Sequence, residues 1–168
     1  MIHIRKARME ELDAVWALVR EAIANMQANG NPQWNDVYPT RDLFEEAIAA
    51  QELFAACDGQ ETILGVAVFN QEFEDCYDEL TGWQRPLPAF GIHKVAVSPK
   101  AQRMGVATAL FDHAFALARE LGLNSVRMDT YSLNTRMQAL MTKHGFHYVG
   151  DIFFPHLDGP FYAYEKLL

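Results

Sequence analysis

Lys94-Val95-Ala96-Val97-Ser98-Pro99-Lys100-Ala101-Gln102-Arg103-Met104-Gly105-Val106-Ala107 is the stretch on which the reading of this chain turns. Its first five residues form an apolar run with β-branched members, which predicts a strand, and Pro99 ends it. From Val106 onward the period changes. Val106, Leu110, Ala114, Leu117 and Leu121 recur at spacings of four or three, the stripe of an amphipathic helix laid against a sheet, and Gly122-Leu123 reads as its left-handed C-terminal stop. Between strand and helix, Gly105 and Ala107 keep the backbone bare. Successive N–H groups at the helix start can then point outward, where the helix dipole adds positive potential, so the turn suits an anion such as a phosphate.

The chain has 168 residues, half of them apolar, which fits one domain over residues 1–168; such a domain buries about two thirds of its unfolded surface. No run approaches the roughly 18 uninterrupted apolar residues of a membrane span. Met1-Ile2-His3-Ile4-Arg5 lacks the apolar core of a signal peptide, so a cytoplasmic location is expected. The two cysteines, Cys57 and Cys76, have no C-x-x-C spacing, and the six histidines have no metal-ligand spacing. Neither a disulfide framework nor a bound metal is expected. The net charge of −8 argues against nucleic acid or an anionic membrane as the main partner and suits a cationic one.

Ile2 to Lys6 alternates as a first strand, and Leu12, Val15, Trp16, Val19, Ile23 and Met26 mark one face of a following helix. Arg8 precedes this helix and offers no N-cap hydroxyl or carboxylate. Residues 29–40 read as a loop by their Gly, Pro and Asn content, yet they hold Trp34 and Tyr38, which either cap the core edge or wall an acceptor pocket. Thr40 is placed to cap a second helix carrying Leu43, Phe44, Ala47 and Ile48. Residues 53–57 and 62–69 form a predicted hairpin around Asp58-Gly59-Gln60. The next connection is long and carries Glu72, Glu74, Asp75, Asp78 and Glu79, then Trp83. It is either a solvated acidic loop or an acidic lip over a substrate cleft with Trp83 as a contact. Residues 125–130 give a strand parallel to the central one, because a helix crosses between them. A helix from Asn134 to His144 and two antiparallel strands, 146–154 and 161–168, complete the chain.

Gln102-x-x-Gly105-x-Ala107, preceded by Val95-Ala96-Val97-Ser98-Pro99, resembles the pyrophosphate-binding signature of the GNAT superfamily of N-acetyltransferases. Asn134 followed by a helix closing in Lys143-His144-Gly145-Phe146 matches a second landmark of that superfamily, and the resemblance covers nearly the whole chain. It implies an α/β fold, a GNAT-like mixed, mostly antiparallel sheet with a central parallel strand pair flanked by helices. It also implies acetyl transfer from acetyl-CoA to a primary amine of a small molecule or peptide by direct attack. By similarity, the backbone of Gln102, Arg103, Met104, Gly105, Val106 and Ala107 and the hydroxyl of Thr108 would take the pyrophosphate. Val95 and Val97 would offer strand backbone to the pantetheine arm and thioester carbonyl, and Asn134 would hold the cofactor near its thiol end.

An ammonium with a pKa of about 10.4 must lose its proton before it attacks, at about 4 to 5 kcal/mol at neutral pH. Many relatives use a strand Glu as base. His93 stands at the aligned position, and an imidazole of ordinary pKa about 6.5 can accept a proton. Glu72 or Glu74 acting through water is the fallback. Relatives often protonate the departing thiolate with a Tyr where this chain has Met141, so Tyr131 is the replacement candidate for the acid. Trp34, Tyr38 and Trp83 are candidate acceptor contacts, and with the acidic run they point to a cationic amine. A non-catalytic acyl-CoA-binding or regulatory module of the same fold is the alternative, and a homodimer is compatible with either reading.

Overall fold

The computed structural model describes all 168 residues. The element order is the expected one: β1 (His3–Lys6), α1 (Leu12–Ala28), α2 (Arg41–Ala49), β2 (Leu53–Cys57), β3 (Ile63–Asn70), β4 (Phe90–Val97), α3 (Val106–Glu120), β5 (Ser125–Tyr131), α4 (Thr135–Lys143), β6 (His147–Ile152) and β7 (Phe161–Leu167). The seven strands share one mostly antiparallel sheet in the order β1-β2-β3-β4-β5-β7-β6. β4 and β5 are its parallel pair, with Phe90 beside Val126 and Gly91 beside Arg127. Contacts divide the chain into two compact units, one of residues 1–69 and 93–113, the other of residues 70–92 and 114–168. No helix is long and apolar enough to cross a membrane.

In the first unit α1 starts without a Ser or Thr cap. A 3₁₀ turn, Met9–Glu11, precedes it, and the Glu11 carboxylate accepts the Arg8 N–H at 2.8 Å. The same carboxylate takes the Arg5 guanidinium through both oxygens, at 2.9 and 2.7 Å, and that hydrogen bonding holds the Glu11 carboxyl below its ordinary pKa. Thr40 does occupy the N-cap position of α2, although its hydroxyl makes no capping bond. Val15 and Val19 of α1, Phe44 and Ile48 of α2, Leu53 and Ala55 of β2, and Val66 and Val68 of β3 form the core here. The Val, Leu, Ile and Phe side chains among them stabilise by about 1.5 to 3 kcal/mol each on burial. Trp34 belongs to the same cluster and is only 5% exposed. At Gly65 a Cβ would lie 2.6 Å from Val106 Cγ1 and 3.0 Å from the Ala96 carbonyl. Only glycine lets the first residue of α3 and strand β4 approach β3 this closely.

In the second unit β7 pairs with β5 from Ser125–Leu167 to Tyr131–Phe161, and with β6 on its other side. The C-terminal half of α3 buries Ala114, Phe115 and Ala118. Leu121 does not join the stripe and is 57% exposed. The helix closes one step earlier than the period suggests: the Gly122 N–H donates to Arg119 at 3.0 Å and the Leu123 N–H to Ala118 at 2.9 Å. That is a Schellman stop, and it turns Leu123 inward instead.

The connection between β3 and β4 is fastened by side chains. Phe73, Tyr77 and Trp83 stack, with ring centroids 5.3 and 5.4 Å apart, and the Arg127 guanidinium lies 4.0 Å from the Trp83 centroid. Arg127 also donates to the Arg85 carbonyl at 2.9 Å. Glu165, fully buried and opposite Arg127 in the sheet, accepts the backbone N–H groups of Gln84 at 2.7 Å and Arg85 at 3.1 Å. The Tyr77 hydroxyl donates to Asp129, and burial, then the Asp129 charge, push its pKa well up.

Candidate active site

The turn singled out in the sequence is held from behind and open in front. Ser98 donates its N–H to Leu64 at 2.8 Å and receives the Lys100 N–H on its hydroxyl at 3.3 Å, while Ala101 is buried. From there the backbone alternates. Gln102 is extended, Arg103 has φ +66°, and Gly105 has φ +80°. Left-handed residues interspersed in a turn gather N–H groups into an anion-binding concavity. The first helical bond of α3 runs from the Ala109 N–H to the Gly105 carbonyl at 2.9 Å. Val106 and Ala107, the first residues of α3, sit at the positive end of the helix dipole, where backbone N–H groups precede the first helical bond. Arg103, Met104 and Gly105 are exposed, and nothing lies within 4 Å of where a Gly105 Cβ would stand. The turn also carries Lys100 and Arg103 and no carboxylate before Asp112. Its geometry and charge both suit a phosphate.

His93, Val95 and Val97 lie on the stretch of β4 leading into this turn, and all three are half-buried. Lys94 between them has φ +52°. A left-handed residue in mid-strand interrupts the pleat, and accordingly His93, Lys94 and Val95 are all half-buried in succession before Ala96 becomes fully so.

The other singled-out residues have visible partners. Asn134 caps α4, its Oδ1 accepting the Met137 N–H at 3.2 Å. Tyr131 is buried against Phe161, ring centroids 5.0 Å apart, and its hydroxyl donates to the Asp158 carbonyl. Met141, at the position where a Tyr is usual, is a fully buried core residue. Trp34 is in the core, and Tyr38 is half-buried in a loop where Asn35 Oδ1 accepts the N–H groups of Val37 and Tyr38. Trp83 donates its indole N–H to the Tyr77 carbonyl at 2.8 Å and gives one face to Arg127. Glu72, Glu74, Asp75, Asp78 and Glu79 are all exposed, with Phe73, Cys76, Tyr77 and Leu80 turned inward between them.

Sequence reading missed Arg127 and Glu165, opposite each other in the sheet, each of which bonds the backbone of the long connection. Each of the two strands carries two charged residues, Arg127 and Asp129 in β5 and Glu165 and Lys166 in β7, so charge alone does not single the two out.

The Acetyltransferase (GNAT) family profile matches residues 16–146. A GNAT-family acetyltransferase from Streptococcus agalactiae 2603 superposes with a TM-score of 0.85 at 26% identity, over 99% of this chain and 95% of that one. A provisionally assigned acetyltransferase from Staphylococcus aureus MU50 is 32% identical, with a TM-score of 0.76 over 98% and 97% of the two chains. PaiA N-acetyltransferase from Thermoplasma acidophilum, solved in complex with coenzyme A, shares the fold at 15% identity, with a TM-score of 0.74 over 100% and 99%. No curated protein sequence matches the chain. An open, cationic turn at the head of α3, a sheet with one parallel pair at β4 and β5, and a family match across most of the chain converge on one assignment: the chain belongs to the GNAT family of acetyltransferases.

Proposed function

We propose that the protein is an acetyl-CoA-dependent N-acetyltransferase acting on a primary amine. The observation that supports this reading is the turn from Gln102 to Thr108, where left-handed Arg103 and Gly105, the start of α3 and flanking Lys100 suit a pyrophosphate. The coenzyme A bound by the Thermoplasma acidophilum neighbour supports the choice of cofactor. Val95 and Val97 would hold the pantetheine arm and polarise the thioester carbonyl through their backbone, where one such donor lowers a barrier by about 3 kcal/mol. Asn134 would contribute near the thiol end while capping α4.

His93 is the base in this scheme, directly or through one water. The amine nitrogen attacks the carbonyl carbon, the C–S bond breaks, and the nitrogen's proton passes to the imidazole. The leaving thiol needs no protein acid: with a pKa of about 8.5 it departs as thiolate at neutral pH for roughly 2 kcal/mol. Tyr131, whose hydroxyl already serves the Asp158 carbonyl, is kept as the acid only if thiolate departure proves limiting. The exposed carboxylates from Glu72 to Glu79 favour a cationic acceptor by raising the local concentration of cations.

Release of CoA from acetyl-CoA in the presence of pooled primary amines tests the reading. Turnover should be lost in Gly105→Glu, and His93→Ala should lose the rise in rate with pH while retaining acetyl-CoA affinity. The buried thioether of Met141 favours a second reading, a non-catalytic acyl-CoA-binding module. A folded protein that binds acetyl-CoA but releases no CoA with any amine would establish that module instead.

A further inference from the structure

Three residues far apart in sequence meet at the β1 edge of the sheet. β1 pairs antiparallel with β2 so that His3 stands directly opposite Cys57, the last residue of β2. Directly paired residues project to the same face. Just beyond, the β2–β3 register shifts between Ala56 and Cys57, and the connecting turn brings Glu61, at φ +64°, back over the same spot. His3 Nε2 lies 2.8 Å from Glu61 Oε2, and the imidazole nitrogen, the Cys57 sulfur and the Glu61 carboxylate all lie within 4.8 Å of one another. Cys57 is fully buried at the floor of this group, while His3 and Glu61 are half exposed above it.

We propose that His3, Cys57 and Glu61 form a binding site for a divalent borderline metal, Zn²⁺ in the first instance, independent of the acetyl-transfer site. One nitrogen, one sulfur and one oxygen ligand match the donors Zn²⁺ uses, and water completes a tetrahedral set. Hard cations are disfavoured, since Ca²⁺ and Mg²⁺ prefer all-oxygen shells. The ligand spread is compatible with bonds of about 2.0 to 2.3 Å after small side-chain rotations.

Arg5 is the one cation beside the group, and its position fits a supporting role. Its two terminal nitrogens are engaged by Glu11 at 2.9 and 2.7 Å, which balances most of its charge. Its Nε is buried without a hydrogen-bond partner and lies 3.6 Å from Glu61 Oε1, the oxygen that does not face His3. A metal on Oε2 leaves Oε1 to accept from Arg5 Nε, the outer hydrogen bond that metal-ligating carboxylates characteristically receive. Burial raises the thiol pKa of Cys57, partly offset by Arg5 and reinforced by Glu61, Glu11 and Asp58. Metal binding therefore displaces the thiol proton into solvent and tightens as pH rises.

Co²⁺ is the probe, because a thiolate on tetrahedral Co²⁺ gives a charge-transfer band in the near ultraviolet and strong visible bands. Titration of the chelator-treated full chain should produce both, and Zn²⁺ should abolish them by competition. Cys57→Ser should remove the charge-transfer band, and Cys76→Ser should leave it unchanged. His3→Ala and Glu61→Gln, surface changes that spare the fold, should each weaken Co²⁺ binding by about ten- to a hundredfold. Failure of the wild-type chain to show the band overturns the site, and so does a band that persists in Cys57→Ser or follows Cys76. If Cys57→Ser does not fold, tenfold weaker binding in both surface variants still supports the site, and unchanged binding in them overturns it.

Discussion

Two connections with similar warning signs in the sequence turn out to be opposites. The turn from Ser98 to Thr108 is fastened at its base through Ser98 and Ala101 and leaves Arg103, Met104 and Gly105 exposed. The connection from Gln71 to Ala89 has aromatic and acidic residues that suggested a substrate lip, yet its inward groups already have partners. Trp83 is stacked and hydrogen-bonded, Tyr77 donates to Asp129, and two backbone N–H groups end on Glu165. A region with unspent polar groups is one that can receive a ligand. A region whose groups are engaged internally contributes stability, and only its exposed carboxylates remain to influence what approaches.

This contrast is sharpest at Glu165. Glu165→Leu strands the Gln84 and Arg85 N–H groups and removes the charge opposite Arg127. Leaving a hydrogen-bonded donor without its acceptor costs about 1 to 3 kcal/mol per group. Urea denaturation should show a loss of that size, while acetyl-CoA affinity of the folded fraction stays within about twofold. A comparable fall in affinity would mean that the two connections are not functionally separate.

Gly105 probes the open turn in the reverse sense. Gly105→Glu should weaken acetyl-CoA binding by about a hundredfold, close to 2.7 kcal/mol, through bulk and like charge against the phosphates. Gly105→Ala meets no neighbouring protein atom, so its stability loss should be limited to the left-handed backbone, about 1 to 2 kcal/mol. Calorimetric titration of a folded Gly105→Glu protein that returns wild-type affinity would remove the turn from the cofactor site.

Tyr77 offers a smaller, pH-dependent test. Its folded pKa is raised by burial and by Asp129, so its contribution is complete below the ordinary tyrosine pKa of about 10. Above that, unfolded chains release the proton while the folded one keeps it, and stability falls by about 1.4 kcal/mol per pH unit from this residue. The stability of Tyr77→Phe should decline less steeply than wild type between about pH 10 and 11. Parallel curves would show that the hydroxyl is not held by Asp129 in solution.

The smallest expected effect on stability is on the exposed carboxylates. Neutralising Glu72, Glu74, Asp75 and Asp78 together should change unfolding free energy by no more than about 0.5 kcal/mol. With a cationic amine as acceptor it should raise KM several-fold and flatten its salt dependence, leaving the acetyl-CoA KM alone. Unaltered kinetics in this variant would assign the carboxylates to solvation only.

What the sequence by itself determined is what short-range backbone chemistry controls. The strand, bare turn and helix around Gly105, the Gly122 stop and the order of elements all depend on residues within a few positions of one another, where helix period and left-handed φ act. Even there the stripe was off by one residue at Leu121, because period alone does not say which side chain the stop turns inward. Tertiary structure decided which polar and aromatic groups find a partner. Glu11 replaces the missing cap because Arg5 orients it, Trp34 packs in the core, and Trp83 gives one face to Arg127. Glu165 reaches back about 80 residues to Gln84, and strand register brings His3 to Cys57. Side chains leave a strand in one of two directions, and a register shift of one residue reverses them, so pairings across the sheet exist only once the register is set.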